Sequence, residues 1–237
     1  MSGARTLGLL GGMSWTSTAE YYRQINTLYA EREGGLHSAP LLLHSFDFAG
    51  VVALQKAGAW DEAARLLGGA ARRLQDAGAG AMLIATNTMH LVAPQIADVL
   101  DIPLLHIVDS TGAALKAAGV ERVGLVATAF TMEQPFYKER LQERFGIETL
   151  VPEAVERAEV HRVIFDELCR NVVRPEAREG YRAVMAGLAA RGAQGIILGC
   201  TEIPLLVGPQ DSPVPTFDTT ALHARSAVDW LLDGVAS

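Results

Sequence analysis

A repeat constrains this chain more than any other feature. Residues 78–90 read GAGAMLIATNTMH and residues 192–204 read GAQGIILGCTEIP. Laid side by side without gaps, Gly78 falls on Gly192, Ala79 on Ala193 and Leu83 on Ile197. Thr86 then falls on Cys200, at a constant offset of 200 − 86 = 114. Each copy is a Gly/Ala turn, a short apolar run, a small residue with a hydroxyl or a thiol, and polar residues that open the next segment. That is the pattern of a buried parallel strand delivering a side chain to its C-terminal end. Open α/β sheets bind ligands at that end.

A second echo starts each half. Residues 122–128, RVGLVAT, follow residues 6–12, TLGLLGG, at an offset of 124 − 8 = 116. A polar turn and an aromatic helix come next in both, with Tyr21-Tyr22 in one and Phe136-Tyr137 in the other. The repeat implies two similar α/β lobes, each a small parallel sheet flanked by helices with right-handed crossovers. The expected division gives residues 1–98 plus 210–237 to the first lobe and 99–209 to the second. The last helix is expected to return to the first lobe.

The local pattern fills in the elements. Strands are expected over 6–10, from Leu41 to near Asp47, over 81–85, 102–107, 122–128, 195–199 and 214–217. Helices are expected over 19–33, ended by Gly34-Gly35, and over 61–77, with Asp61 as N-cap and Gly78 as stop. Further helices are expected over 91–100, 153–169 and 176–191. Asp218-Thr219-Thr220 opens the closing helix, as Asp109-Ser110-Thr111 opens its counterpart.

Composition excludes several classes. The 237 residues, 49 % hydrophobic and 20 % charged, suffice for a sizeable core and are not those of a disordered chain. A formal charge of −7 argues against a nucleic-acid or anionic-membrane surface. No apolar run approaches a membrane span, and the N-terminal apolar stretch is too short for a signal peptide. The two cysteines, Cys169 and Cys200, then read as reduced thiols of a cytoplasmic protein.

Three stretches carry candidate chemistry. Gly8-Leu9-Leu10-Gly11-Gly12 lacks the spacing of a dinucleotide site, and no acidic residue follows to hold a ribose. It reads as a turn rich in backbone N–H groups beside Met13, Ser14 and Thr16, fit for an anion or simply a tight turn needing glycine. Thr86-Asn87-Thr88 can hydrogen-bond a carboxylate, or cap the next helix, or both. The six histidines show no ligand spacing, so no metal is expected. Cys200-Thr201-Glu202 is the sharpest signal. A free cysteine is usually a small buried hydrophobe, and Cys169 fits that reading, beside Val163, Ile164 and Leu168. Cys200 ends a strand, precedes polar residues and lies where helix N–H groups would favour a thiolate.

These residues carry a resemblance to the cofactor-independent aspartate/glutamate racemase family. It runs through GLLGGMSW at 8–15, Tyr21-Tyr22-Arg23, ATNTMH at 85–90, TMEQPFY at 131–137, GCTEI at 199–203 and FDTTALHA at 217–224. The resemblance implies two lobes related by a pseudo-two-fold axis, with the active site between them, and a homodimer. It implies no cofactor, a small amino acid as substrate, acidic by family, and a cysteine from each lobe on opposite faces of the α-carbon. Here Cys200 matches the second-lobe cysteine, while Thr86 stands at the first, as in one branch of amino-acid racemases. By resemblance Cys200 and Thr86 are the catalytic pair, with Met13, Ser14, Asn87, Thr88, Thr128, Thr201 and Glu202 around the substrate. The basic group that holds a substrate side-chain carboxylate in some relatives has no secure match; Arg170 and Arg174 are possible substitutes.

The substitution has consequences. A thiol with a pKa near ~8.5 is readily made a thiolate. A threonine hydroxyl is far less acidic, and no strong base stands beside it in the sequence, so it passes on a proton or orients a water. Three functions fit: an amino-acid racemase with Cys200 as base and Thr86 as donor or relay, a single-thiol decarboxylase or lyase of the same superfamily, and a binder of amino acids or dicarboxylates. The polar Asn87-Thr88 pair suits an amino acid better than an aryl substrate.

Overall fold

The computed structural model describes residues 5–233. Expectations for residues 1–4 and 234–237 lie outside that range. The chain divides into two compact units, residues up to 106 together with those from 223, and residues 107–222. Both divisions fall later than 98/99 and 209/210, because in each half a fourth strand lies beyond the expected cut.

In the first unit four parallel strands, β1 (Leu7–Gly11), β2 (Leu41–Ser45), β3 (Ala81–Ile84) and β4 (Leu104–Leu105), lie in the order β2-β1-β3-β4. Helices α1 (Trp15–Glu33), α2 (Phe48–Ala57), α3 (Trp60–Asp76) and α4 (Ala93–Ala97) flank them, with a 3-10 turn over Thr88–Val92. All five residues of β1 are buried, and they alternate between two cores as a strand must. Leu10 joins Met82, Ile84 and the Leu67 and Leu74 side chains of α3. Leu7 and Leu9 join Leu83, Tyr21 and Ile25 on the other face, where Ala224, Val228 and Leu231 of the closing helix complete the cluster.

The second unit opens with α5 (Ile107–Ala117). Its strands β5 (Arg122–Ala127), β6 (Glu148–Leu150), β7 (Ile196–Gly199) and β8 (Thr216–Asp218) run parallel in the order β6-β5-β7-β8, the same winding as the first sheet. Its helices are α6 (Ala129–Glu133), α7 (Pro135–Phe145), α8 (Ala154–Asp166), α9 (Pro175–Ala190) and α10 (Ile203–Leu206). The closing helix α11 (Thr219–Leu232) leaves from its sheet. The repeat holds at the level of register. Gly8 pairs with Met82 and Leu9 with Leu83, while Gly124 pairs with Ile196 and Leu125 with Ile197. A Cβ on Gly8 would stand 2.8 Å from Met82 Cε, and one on Gly124 would stand 2.8 Å from Ile196 Cδ1. Both glycines therefore serve close contact between neighbouring strands.

Several local expectations shift. α1 starts at Trp15, not Ala19, because the Ser14 side chain caps it by accepting from Ser17 N at 3.2 Å. β2 stops at Ser45, and Asp47 caps α2 by accepting from Ala49 N at 3.2 Å. Ala59 is the N-cap of α3, and Asp61 lies inside its first turn. The strand expected over 102–107 shrinks to β4, and α5 already begins at Ile107, so Asp109 sits in its first turn. The helix expected to 169 ends at Asp166, and Cys169 lies on a 3-10 turn, Leu168–Arg170. Asp218 does open α11, accepting from Thr220 N at 2.8 Å and Ala221 N at 3.2 Å. Among the described residues no helix is long and apolar enough to cross a membrane.

Candidate functional site

The first unit presents its polar residues where β1 and β3 end. Ala85 N donates to Leu10 O at 2.9 Å and Thr86 N to Ile84 O at 2.9 Å, so the chain turns tightly out of β3. Ser17 Oγ donates to Ala85 O at 3.1 Å, and His90 Nδ1 donates to Thr86 O at 2.8 Å. The backbone of Thr86 is thus held on both sides, whereas no hydrogen bond among the described residues engages its hydroxyl. Asn87 and Thr88 are buried and lead into the 3-10 turn.

The glycine turn at the end of β1 is equally fixed. Gly12 N donates to Thr18 Oγ1 at 2.7 Å, and Thr18 Oγ1 donates to Ser14 O at 2.8 Å. Ser14 Oγ also meets Thr16 Oγ1 at 2.7 Å. Met13 is buried in the apolar cluster that contains Leu10 and Met89.

Behind Thr86 lies a group that sequence reasoning missed. The buried rings of His90, His106 and His223 lie close together at steep angles, with centroids 4.6 Å apart for His90–His106 and 5.7 Å for His90–His223. His223 Nε2 donates to Leu105 O at 2.8 Å, which leaves Nδ1 to accept from Tyr21 OH at 3.0 Å. The three histidines come from three separate segments, so spacing alone could not show them together.

In the second unit the equivalent strand end carries the thiol. Cys200 follows β7 directly, and its Sγ donates to Glu202 Oε2 at 2.9 Å. Thr201 Oγ1 donates to the same oxygen at 2.7 Å. Glu202 is 5 % exposed, so this carboxylate is anchored by its neighbours. Cys169 also lies close enough to Glu202 to feel its charge. Cys169 is packed against the apolar core of the second unit, as its sequence position suggested. Thr128, at the end of β5, caps α6 by accepting from Thr131 N at 3.4 Å.

The electrostatics reverse one expectation. Burial, and after it the negative charge of Glu202, push the Cys200 thiol well above its usual value. The Glu202 backbone N–H opposes this as a smaller effect. α10, four residues long, does not offset the burial. Cys169 is pushed up to about 12 for the same reasons, burial first. The resting groups are thiols. Of the two arginines considered for a side-chain carboxylate, Arg174 Nε lies 3.8 Å from Glu167 Oε2, and Arg170 ends the 3-10 turn that carries Cys169. Among the described residues no group of three or more His, Cys, Asp or Glu is arranged to hold a metal ion.

Two units with the same parallel winding, each with a hydroxyl or thiol side chain just after its third strand, define a class of duplicated α/β proteins. The chain belongs to the Asp/Glu/Hydantoin racemase family, whose family model matches residues 10–227. A crystal structure of a candidate Asp/Glu racemase from Yersinia pestis is 49 % identical, with a TM-score of 0.91 over 96 % of this chain and 99 % of that one. An aspartate racemase homologue from Pyrococcus horikoshii is 30 % identical, with a TM-score of 0.84 over the same shares. A glutamate racemase from Exiguobacterium sibiricum is 26 % identical over 166 residues, 63 % of this chain and 56 % of that protein. The chain thus spans little more than half of that curated glutamate racemase. Family membership supports a racemase-like isomerase.

Proposed function

We propose that this protein is a cofactor-independent amino-acid racemase of the aspartate/glutamate type. Cys200 removes the α-proton as a thiolate, and Thr86 donates or relays the proton that returns. The observation that carries this reading is the Cys200–Glu202 contact, Sγ to Oε2 at 2.9 Å. A buried thiol is a poor base by itself. At rest the Glu202 charge holds that proton on Cys200; the positive ammonium of an entering amino acid would favour the thiolate, with the adjacent carboxylate as the acceptor in reach. Glu202 acts here on Cys200 and not on the substrate. Ser14, Asn87, Thr88, Thr128 and Thr201 supply donors and acceptors for the α-carboxylate and amino group, and Met13 shapes the turn. The substrate class is a small amino acid, acidic by family, acted on in the cytoplasm by a homodimer.

Incubation of L-Asp, L-Glu and a panel of other L-amino acids in heavy water tests the reading. Deuterium is expected at the α-carbon of at least one substrate, and Cys200→Ser is expected to abolish this while binding persists. If no substrate exchanges and Thr86→Cys is equally inert, the racemase reading fails. If ligands bind and nothing exchanges in either protein, the chain is a binder.

A further inference from the structure

A second recess lies on the second unit, away from the strand ends. α8 and α9 diverge to leave a groove of about 760 Å³, within the range of small-molecule sites. Its floor is apolar, formed by Val160, Val163, Val184 and Tyr181. Its walls carry the carboxylates of Glu156, Glu159, Asp166, Glu167 and Glu176 against the guanidiniums of Arg162 and Arg174. An apolar trough with a negative excess is complementary to a cation that carries a hydrocarbon body.

Glu167 makes this more than an acidic surface. Its side chain is 9 % exposed, whereas Arg162 and Arg174, its two ion-pair partners, are 45 % and 64 % exposed. Oε1 is met by Arg162 Nη1 at 2.9 Å. Oε2 is buried and accepts no hydrogen bond from the protein. Arg174 Nε stands 3.8 Å from it, too far for a hydrogen bond. A buried carboxylate oxygen without a donor is costly. The exposed Arg174 chain over it, held by no hydrogen bond to that oxygen, is the piece most easily displaced.

We infer that the groove between α8 and α9 binds a small organic cation, an amine or guanidinium on an apolar stem, with Glu167 Oε2 accepting from its head group. The head group replaces the loose Arg174 contact with a true charge-assisted hydrogen bond, and the stem lies along Val160, Val163 and Val184. This assignment does not rest on the racemase reading: Cys200, Thr86 and Glu202 take no part, and it leaves Arg174 over Glu167 and not on a racemase substrate.

Calorimetric titration of the full-length protein with agmatine and cadaverine, which lack an α-carboxylate, tests it, with 1-pentanol as the neutral comparator and ionic strength fixed by sodium chloride. Saturable one-to-one binding of at least one cation is expected, and none of 1-pentanol. Glu167→Gln should weaken it at least about tenfold, equivalent to roughly 1.4 kcal/mol. Cys200→Ser should leave it unchanged. Gly180 lines the groove and has open space where a Cβ would point, so Gly180→Phe should block binding without disturbing the core. That variant decides the matter if Glu167→Gln does not fold. Absence of saturable binding up to about 10 mM, equal affinity in Glu167→Gln, or undiminished binding in Gly180→Phe would each overturn the assignment. So would a Gly180→Phe protein that loses self-association but keeps its affinity for the cations, since the groove would then be a contact between copies of the chain.

Discussion

At the scale of single residues, the chemistry rests on which proton sits where. The Cys200 thiol is raised first by burial and second by the Glu202 charge. Glu202→Gln keeps the shape and removes the charge and the proton acceptor. Two effects are therefore expected in α-proton exchange measured against pH. The plateau should fall by roughly 10²–10⁴, the usual contribution of one acid–base partner. The rise of rate with pH should move to lower pH, since one cause of the raised thiol is gone. An unchanged profile would remove Glu202 from the mechanism. The same two thiols affect stability. Cys169, raised to about 12, and Cys200 stay protonated in the folded chain at pH values where unfolded thiols ionise. Their contribution is thus complete below about pH 8.5 and is lost as pH climbs toward the folded values. Above about pH 9 stability should decline by up to roughly 1.4 kcal/mol per pH unit for each such group. Cys169→Ser should flatten that decline in denaturation curves taken at pH 8, 9 and 10.

At the scale of elements, the turn between β1 and α1 is the most tightly built connection in the first unit. Gly12 has φ = 83°, in the region that favours glycine. A Cβ there would lie 2.2 Å from Phe46 O and 2.3 Å from Phe46 N, both backbone atoms. Gly12→Ala should cost about 3 kcal/mol or more, because backbone has to move. Gly58, which ends α2 at φ = 65°, has nothing within 4 Å of the Cβ position. Gly58→Ala should cost only about 1 kcal/mol, the left-handed penalty by itself. Urea midpoints of the two variants separate the cases, and similar values would show that the turn yields. Element boundaries were legible where a cap was part of the pattern, as at Asp218. They were misread where a cap lay just outside it, as at Ser14 and Ala59. β6 escaped notice because three edge residues show no periodicity, and α2 because its short apolar run continues that of the preceding strand.

For the whole molecule, the proposed racemase, with unlike side chains after its two equivalent strands, carries a kinetic signature. Racemisation has an equilibrium constant of one, so kcat/KM is the same from either enantiomer. A chain with one thiol and one hydroxyl cannot be fast in one direction only. It should be slow in both, or exchange the L α-proton with retention faster than it inverts. Circular dichroism of substrate alongside mass-spectrometric deuterium counts will show exchange running ahead of inversion. Thr86→Cys should narrow that gap by supplying a second acidic group. Equal exchange and inversion rates in the unaltered chain would make Thr86 a full partner of Cys200.

The amino-acid sequence by itself determined the duplication, the parallel strands, the Thr86–Cys200 correspondence and the family. Each is written as a short-range pattern: strand period, turn glycine, fixed offset. The register confirms the repeat down to Gly8–Met82 and Gly124–Ile196. What only the tertiary structure decided depends on residues far apart in the chain. The gathering of His90, His106 and His223 behind Thr86, the anchoring of Glu202 by Cys200 and Thr201, and the raised thiols all arise from burial and through-space contact. Local sequence encodes which side chain a strand delivers. The charge state of that side chain depends on what the fold packs around it.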